Sequence, residues 1–97
     1  MTLEEFQKSV LTKTPPPVSD ALLALWHDAQ GNWERAHEIA QDLHTAEGAW
    51  IHAYLHRKEG DASNAQYWYR QANQPMPAYS LAEEWEEITR ALLIRKA

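Results

Sequence analysis

One pattern of small residues occurs twice in this 97-residue chain, with the two copies 29 positions apart. A shift by that interval superposes Ala24 on Ala53, Gly31 on Gly60 and Ala36 on Ala65. In each copy the glycine precedes a good helix-capping residue, and apolar residues recur at helical spacing on both sides. Small residues at fixed points allow two helices to approach closely. The repeat therefore predicts two stacked helical hairpins, with Gly60 at positive φ in the second turn.

The rest of the chain supplies helices that flank this pair. Capping boxes at Thr2 and Ser80 predict where the first and the last helix begin. Prolines at 15–17, 75 and 77 predict extended connections. The predicted helices lie at about 3–12, 20–30, 33–44, 48–59 and 62–73, and a sixth follows Ser80. We therefore expect one all-α domain over 1–97, with hairpins at about 19–44 and 48–73 between an N-terminal and a C-terminal capping helix.

The repeated pattern resembles the tetratricopeptide-repeat family. In both copies an alanine is followed seven residues later by glycine, then by Asn or Asp, with another alanine five residues past the glycine. The period of 29 residues is shorter than the 34 residues of that family, so the expectation is tetratricopeptide-like hairpins. The segment 48–72 also resembles the signature of a small, uncharacterised bacterial protein family, which implies no known activity.

Composition and charge restrict the function. The chain has 14 acidic and 9 basic residues, a net charge of −5, without a clustered basic face, so nucleic-acid binding is not expected. The acidic start at Met1–Glu5 does not have the form of a signal peptide. No apolar run reaches the roughly 20 residues that a membrane span needs. We expect a cytoplasmic protein that does not contact membranes.

The resemblance implies that helix 4 places Trp50, Tyr54 and Arg57 on the inner face of the hairpins. Such faces in the tetratricopeptide-repeat family commonly bind peptides, and an arginine beside aromatic rings suits a carboxylate or a planar group. A peptide or protein partner is therefore the favoured function, and a homo-oligomer stays open. The alternative is that a terminal helix covers this face, which would make the two aromatics part of the core.

The histidines of helix 4 indicate a second class of function. His52 and His56 are four residues apart and share one helix face, where His37 or Glu59 could add a third metal ligand. Three interpretations are open: hydrogen-bonded structural histidines, which we favour, a polar ligand pocket, or a metal site. Ala53 follows His52, so the glutamate base of zinc proteases is missing from this pair.

Catalysis is not indicated by the sequence. The chain has no cysteine and only three glycines, so a thiol nucleophile and a glycine-rich phosphate loop are both missing. An enzyme is accordingly less expected than a binding protein, and the sequence predicts no metal and no cofactor. The alternative to the interaction module is a small-molecule or metal-binding protein, or an enzyme, centred on His52 and His56.

Overall fold

The computed structural model describes residues 1–94 and contains six α-helices, with no β-strand in that range. The helices are α1 (Leu3–Ser9), α2 (Asp20–Ala29), α3 (Trp33–Gln41), α4 (Ala46–Lys58), α5 (Ala62–Ala72) and α6 (Leu81–Ile94). The predicted all-α fold class is confirmed. None of these helices is both long enough and apolar enough to cross a membrane.

The predicted capping residues are found at the helix starts. Thr2 and Glu5 form a reciprocal capping box, with the Glu5 amide 3.1 Å from the Thr2 hydroxyl and the Thr2 amide 2.8 Å from the Glu5 carboxylate. The Ser80 hydroxyl accepts a hydrogen bond from the Glu83 amide in the same way. These bonds satisfy amide groups that have no partner within the helix, so local sequence determines where both helices begin.

Two helical hairpins form the centre of the molecule, because α2 packs against α3 and α4 packs against α5. Each turn has a glycine at positive φ, +87° at Gly31 and +89° at Gly60. The next residue, Asn32 or Asp61, then caps the second helix of the hairpin with its side chain. The positive φ predicted for Gly60 is confirmed.

Replacing Gly60 by Val is expected to lower the free energy of unfolding by about 1–3 kcal/mol. A Cβ atom at this position would meet no atom within 4 Å, so the loss comes from backbone strain and not from a steric clash. Denaturant unfolding of the variant measures the loss. Gly60→Asn is the control and should lose less, because asparagine tolerates the left-handed region. Equal stability of wild type and Gly60→Val would contradict the assigned turn.

Several helix boundaries differ from their predicted positions. α1 ends at Ser9 and not near residue 12, and α3 ends at Gln41 and not near residue 44. α4 begins at Ala46, two residues before the predicted start at 48, because the Thr45 hydroxyl caps the Gly48 amide at 3.0 Å. The C-terminal ends of α2, α4 and α5 each lie one residue earlier than predicted.

The connection between α3 and α4 passes close to the first turn of α4. A Cβ built on Gly48 would lie only 2.6 Å from the Leu43 carbonyl oxygen and from the Leu43 Cβ. Only a residue without a side chain permits this approach, and it draws the end of the first hairpin onto the start of the second. The close approach also places His44 and Thr45 beside the N-terminal half of α4.

The last helix covers one side of both hairpins. α6 packs against α2 and α4, and α1 packs in turn against α6. The Trp85 indole donates to the Leu25 carbonyl at 3.0 Å, and its ring stacks on Phe6 of α1. Ile88 is completely buried beside them. With α3 and α5 on other sides of α4, all nine residues from Gly48 to His56 are buried.

Candidate metal centre

Three histidines from two helices converge between α3, α4 and α5. His37 comes from α3, and His52 and His56 come from α4. One potential ligand atom from each lies within 4.8 Å of the other two. The ring centroids are 4.6 Å apart for His37 and His52, 5.2 Å for His37 and His56, and 4.8 Å for His52 and His56. We call these three side chains the histidine cluster.

The positions of the rings follow from helix geometry and hairpin packing. His52 and His56 are one turn apart on α4, so their rings stack on the same face. That face meets α3, where His37 crosses both rings edge-on. The sequence predicted the pairing of His52 with His56 and named His37 as a third residue, and the structure brings all three together.

Two tryptophans enclose the histidine cluster. Trp33 stacks on His37 with ring centroids 4.9 Å apart, and Trp68 of α5 stacks on His52 at 4.1 Å. The Trp33 indole also donates to the Leu55 carbonyl at 2.9 Å, which holds that ring in place. These apolar walls limit contact with water, since His52 and His56 are only 6% and 7% exposed.

Few hydrogen bonds satisfy the imidazole nitrogens. His56 Nδ1 lies 2.6 Å from the Glu59 carboxylate, and its Nε2 is 3.4 Å from the Asn64 side-chain amide, a long contact. His37 Nε2 is buried without a partner. Within residues 1–94, neither nitrogen of His52 makes a hydrogen bond. A buried polar atom without a partner, such as His37 Nε2, costs about 1–3 kcal/mol.

This pattern differs from the structural role favoured by the sequence. That interpretation expected both His52 and His56 to be neutral, buried and hydrogen-bonded. The burial is observed for both side chains, but only His56 has hydrogen-bond partners, namely Glu59 and Asn64. Glu59 therefore pairs with His56 and is not one of the three side chains of the histidine cluster.

The surroundings hold two of the imidazoles in the neutral form. Burial, reinforced by His37 and His56, lowers the pKa of His52 from 6.5 to about 4. Burial and then the His56 ring also lower the pKa of His37. A neutral imidazole keeps a lone pair on one nitrogen, which is the form that binds a metal ion. At neutral pH no proton has to leave His37 or His52 before a metal binds.

The predicted contact residues Trp50, Tyr54 and Arg57 lie elsewhere. Trp50 is 6% exposed and Tyr54 is 2% exposed, so both belong to the core. The Tyr54 hydroxyl donates to Asp28 at 2.7 Å. Burial, and then the charge of Asp28, raise the pKa of Tyr54. The face that carries these side chains is covered by α6, as the alternative interpretation of the sequence expected.

Arg57 belongs to a buried polar network with α6. Its guanidinium donates to the Glu84 carboxylate at 2.9 Å and also to the backbone carbonyl of Tyr79. Glu84, only 1% exposed, further accepts the Tyr69 hydroxyl at 2.8 and 2.6 Å. The arginine thus joins α4 to α6 and to the connection before it, with Nη1 donating to Glu84 and Nη2 to the Tyr79 carbonyl.

Sequence reasoning missed four residues around these two sites: Trp33, Asn64, Trp68 and Glu84. Trp33 could have been found, because it precedes His37 by four residues and therefore shares its helix face. Trp68 and Glu84 reach their partners across long sequence separations, for which no short spacing provides a signal.

No protein-family model, curated protein or solved structure matches this chain. The tetratricopeptide-like resemblance consequently stays a prediction, and the chemistry of the histidine cluster is the guide to function.

Proposed function

We propose that this protein binds a divalent transition-metal ion, with zinc as the first candidate, through His37, His52 and His56. The convergence of three imidazoles, of which His37 has a buried nitrogen without a partner and His52 makes no hydrogen bond within residues 1–94, carries the proposal. A set of three histidines is a common zinc-binding arrangement, and imidazole also suits copper, nickel and iron. The chain contains no cysteine that could compete as a softer ligand.

The hydrogen bond between Glu59 and His56 supports this assignment. A carboxylate that accepts the Nδ1 proton orients the ring and leaves the lone pair on Nε2. Histidines that bind metals nearly always donate their other nitrogen in this way, which raises the basicity of the ligand. Asn64 would give up its long contact with Nε2 when a metal ion binds.

The ligand atoms, up to 4.8 Å apart, must move closer together to share one ion. With metal–nitrogen bonds of about 2.0–2.1 Å, tetrahedral geometry places two ligand nitrogens roughly 3.4 Å apart. The required movement is on the order of 1 Å for each ring. His37 is half-buried, so its ring has more freedom to move than the buried rings of His52 and His56.

Zinc is expected to stabilise protein that has been purified without a histidine tag. At a free zinc concentration about 100 times Kd, the gain in the free energy of unfolding is about 2.7 kcal/mol. For a chain of this size, that corresponds to a rise in Tm of roughly 10 °C or more. Isothermal titration calorimetry should give one zinc per chain.

His52→Ala should abolish the zinc-dependent rise in Tm. This change also removes the stack on Trp68 and lowers the stability of the metal-free protein, so the readout is the increment caused by zinc. His27→Ala is the matched control, because His27 lies outside the cluster, and it should keep the full increment. If wild type shows no stoichiometric zinc, copper or nickel binding, the proposed function is wrong.

Binding of a peptide or protein through Trp50, Tyr54 and Arg57 stays a prediction. It requires α6 to leave the face that it covers, because the two aromatics are buried and Arg57 is paired with Glu84. The metal proposal requires only a small movement of rings that already lie together, and for this reason we favour it.

A further inference from the structure

A metal ion held only by the histidine cluster would have an incomplete coordination shell. The three imidazoles provide three ligands, whereas zinc and its neighbours in the periodic table take four or more. The nearest carboxylate, Glu59, is engaged with His56 at 2.6 Å. The tryptophan rings that enclose the cluster, Trp33 and Trp68, contribute no ligand atom. At least one coordination position is therefore left for a molecule from solution.

The charge of the site indicates what that molecule is. Metal-bound histidines are neutral, and the Glu59 carboxylate beside His56 offsets only one of the two positive charges of a divalent ion. An uncompensated charge in a largely buried site is costly, and an anionic ligand reduces the cost. Hydroxide formed from bound water is one such anionic ligand, and a small carboxylate is another.

A cavity leads from solvent to the cluster at His52. It has a volume of about 250 Å³ and lies between the end of α3, the start of α4 and the last turns of α5. Leu43 and Trp68 contribute apolar walls, and Gln41, His44 and Gln71 contribute polar groups. Since a water molecule occupies about 30 Å³ of the liquid, the cavity has room for a molecule of several heavy atoms.

We infer that the metal-loaded protein binds a small carboxylate or similar anion, which enters through this cavity and completes the coordination of the ion. The inference rests on the proposed function, because without a metal the site has no reason to attract an anion. The apolar wall of Leu43 and Trp68 would contact the carbon atoms of the ligand. Gln41 and Gln71 line the cavity and are exposed, so their side-chain amides can donate hydrogen bonds to the ligand.

The experiment uses the full chain loaded with cobalt(II), whose visible absorption reports the geometry and ligands of the ion. Sodium azide and sodium acetate are added in separate titrations, with sodium chloride at equal ionic strength as the control. We expect azide and acetate each to change the cobalt spectrum with saturation at one anion per metal, and chloride to act much more weakly. The titrations give a Kd for each anion.

Two exposed glutamines on α5 provide a matched pair of variants. Gln71 lines the cavity and Gln66 does not, so a tryptophan at position 71 narrows the entrance while one at position 66 leaves it unchanged. Gln71→Trp should weaken azide and acetate binding by about tenfold or more, roughly 1.4 kcal/mol, with unchanged cobalt affinity. Gln66→Trp should behave as wild type. Gln41→Trp narrows the entrance from the α3 side and should reproduce the effect of Gln71→Trp.

The possible failures are distinguishable. If wild type binds none of cobalt, zinc, copper and nickel, the proposed function fails and this inference fails with it. If cobalt binds but neither azide nor acetate alters its spectrum, the metal site stands and the anion site is wrong. If both anions bind equally well to wild type, Gln71→Trp and Gln41→Trp, the anion does not enter through this cavity and the inference is overturned.

Discussion

A fragment of residues 19–73, which contains both hairpins and lacks α1 and α6, is expected not to fold. Without α6 the fragment lacks Trp85 and Ile88, and the core residues that they cover, including Leu25 and Tyr54, become exposed. It also leaves the Leu25 carbonyl and Arg57 without their partners on α6. Two helical repeats alone fall below the three or more that a stable stack usually needs. Far-ultraviolet circular dichroism should show little helix, and size-exclusion chromatography should show an expanded or aggregated chain.

The control is the fragment 19–94, which keeps α6 and lacks α1 together with the connection that follows it. Because α1 packs against α6 and not against the hairpins, this fragment keeps the contacts between α6 and helices α2 and α4. It loses the Phe6 ring that stacks on Trp85, so we expect a folded protein of reduced stability. A well-folded monomer of residues 19–73 would show that α1 and α6 are not required for folding. These two helices would then be candidates for a functional role.

Arg57→Ala is expected to lower the free energy of unfolding by about 3–5 kcal/mol, a large share of the stability of a small domain. The substitution leaves the Glu84 carboxylate buried at 1% exposure, with the Tyr69 hydroxyl as its remaining donor. An unpaired buried charge costs more than the ion pair itself contributes. It also frees the Tyr79 carbonyl, which anchors the connection before α6. Urea unfolding monitored by tryptophan fluorescence measures the change.

Two comparisons separate the cost of the buried charge from other effects. Arg35→Ala removes a partner from the exposed pair with Glu38, for which the expected change is about 0–1 kcal/mol. The double variant Arg57→Met/Glu84→Gln removes both charges and keeps a group that can hydrogen-bond Tyr69. It should be more stable than Arg57→Ala alone. If Arg57→Ala and Arg35→Ala cost the same, the buried pair is not a main connection between α4 and α6.

The sequence predicted which histidines form the cluster, but not which of their nitrogens have hydrogen-bond partners. The spacing of His52 and His56 on one helix placed them together, and the hairpin repeat brought His37 of the preceding helix within reach. The prediction that the rings would be hydrogen-bonded was not met for His52. The Glu59 partner of His56 lies only three residues away and is visible in the sequence. The Asn64 contact and the lack of a hydrogen-bond partner for His52 in the described part of the chain depend instead on how α3 and α5 pack against α4, about which a pattern within α4 carries no information.

The sequence could not decide whether the face of α4 that carries two aromatic residues is a binding surface or part of the core. The pattern of Trp50, Tyr54 and Arg57 suits a ligand surface and a core equally well, since large aromatics are enriched in both. The decision came from α6, which begins 24 residues after Arg57 and places Glu84 against it. Only the packing of that distant helix makes the face an interior one.

The sequence by itself determined the features that rest on neighbouring residues: the helical class, the caps at Thr2 and Ser80, and the turns at Gly31 and Gly60. Each depends on backbone conformation or on a hydrogen bond within a few residues, so a short stretch of sequence contains all the information. Tertiary structure decided which faces meet. The Trp68 wall over His52, the cavity beside it and the burial of Arg57 against Glu84 each join helices that are distant in sequence. Their energies depend on the packing of the whole chain, because no single segment contains both partners.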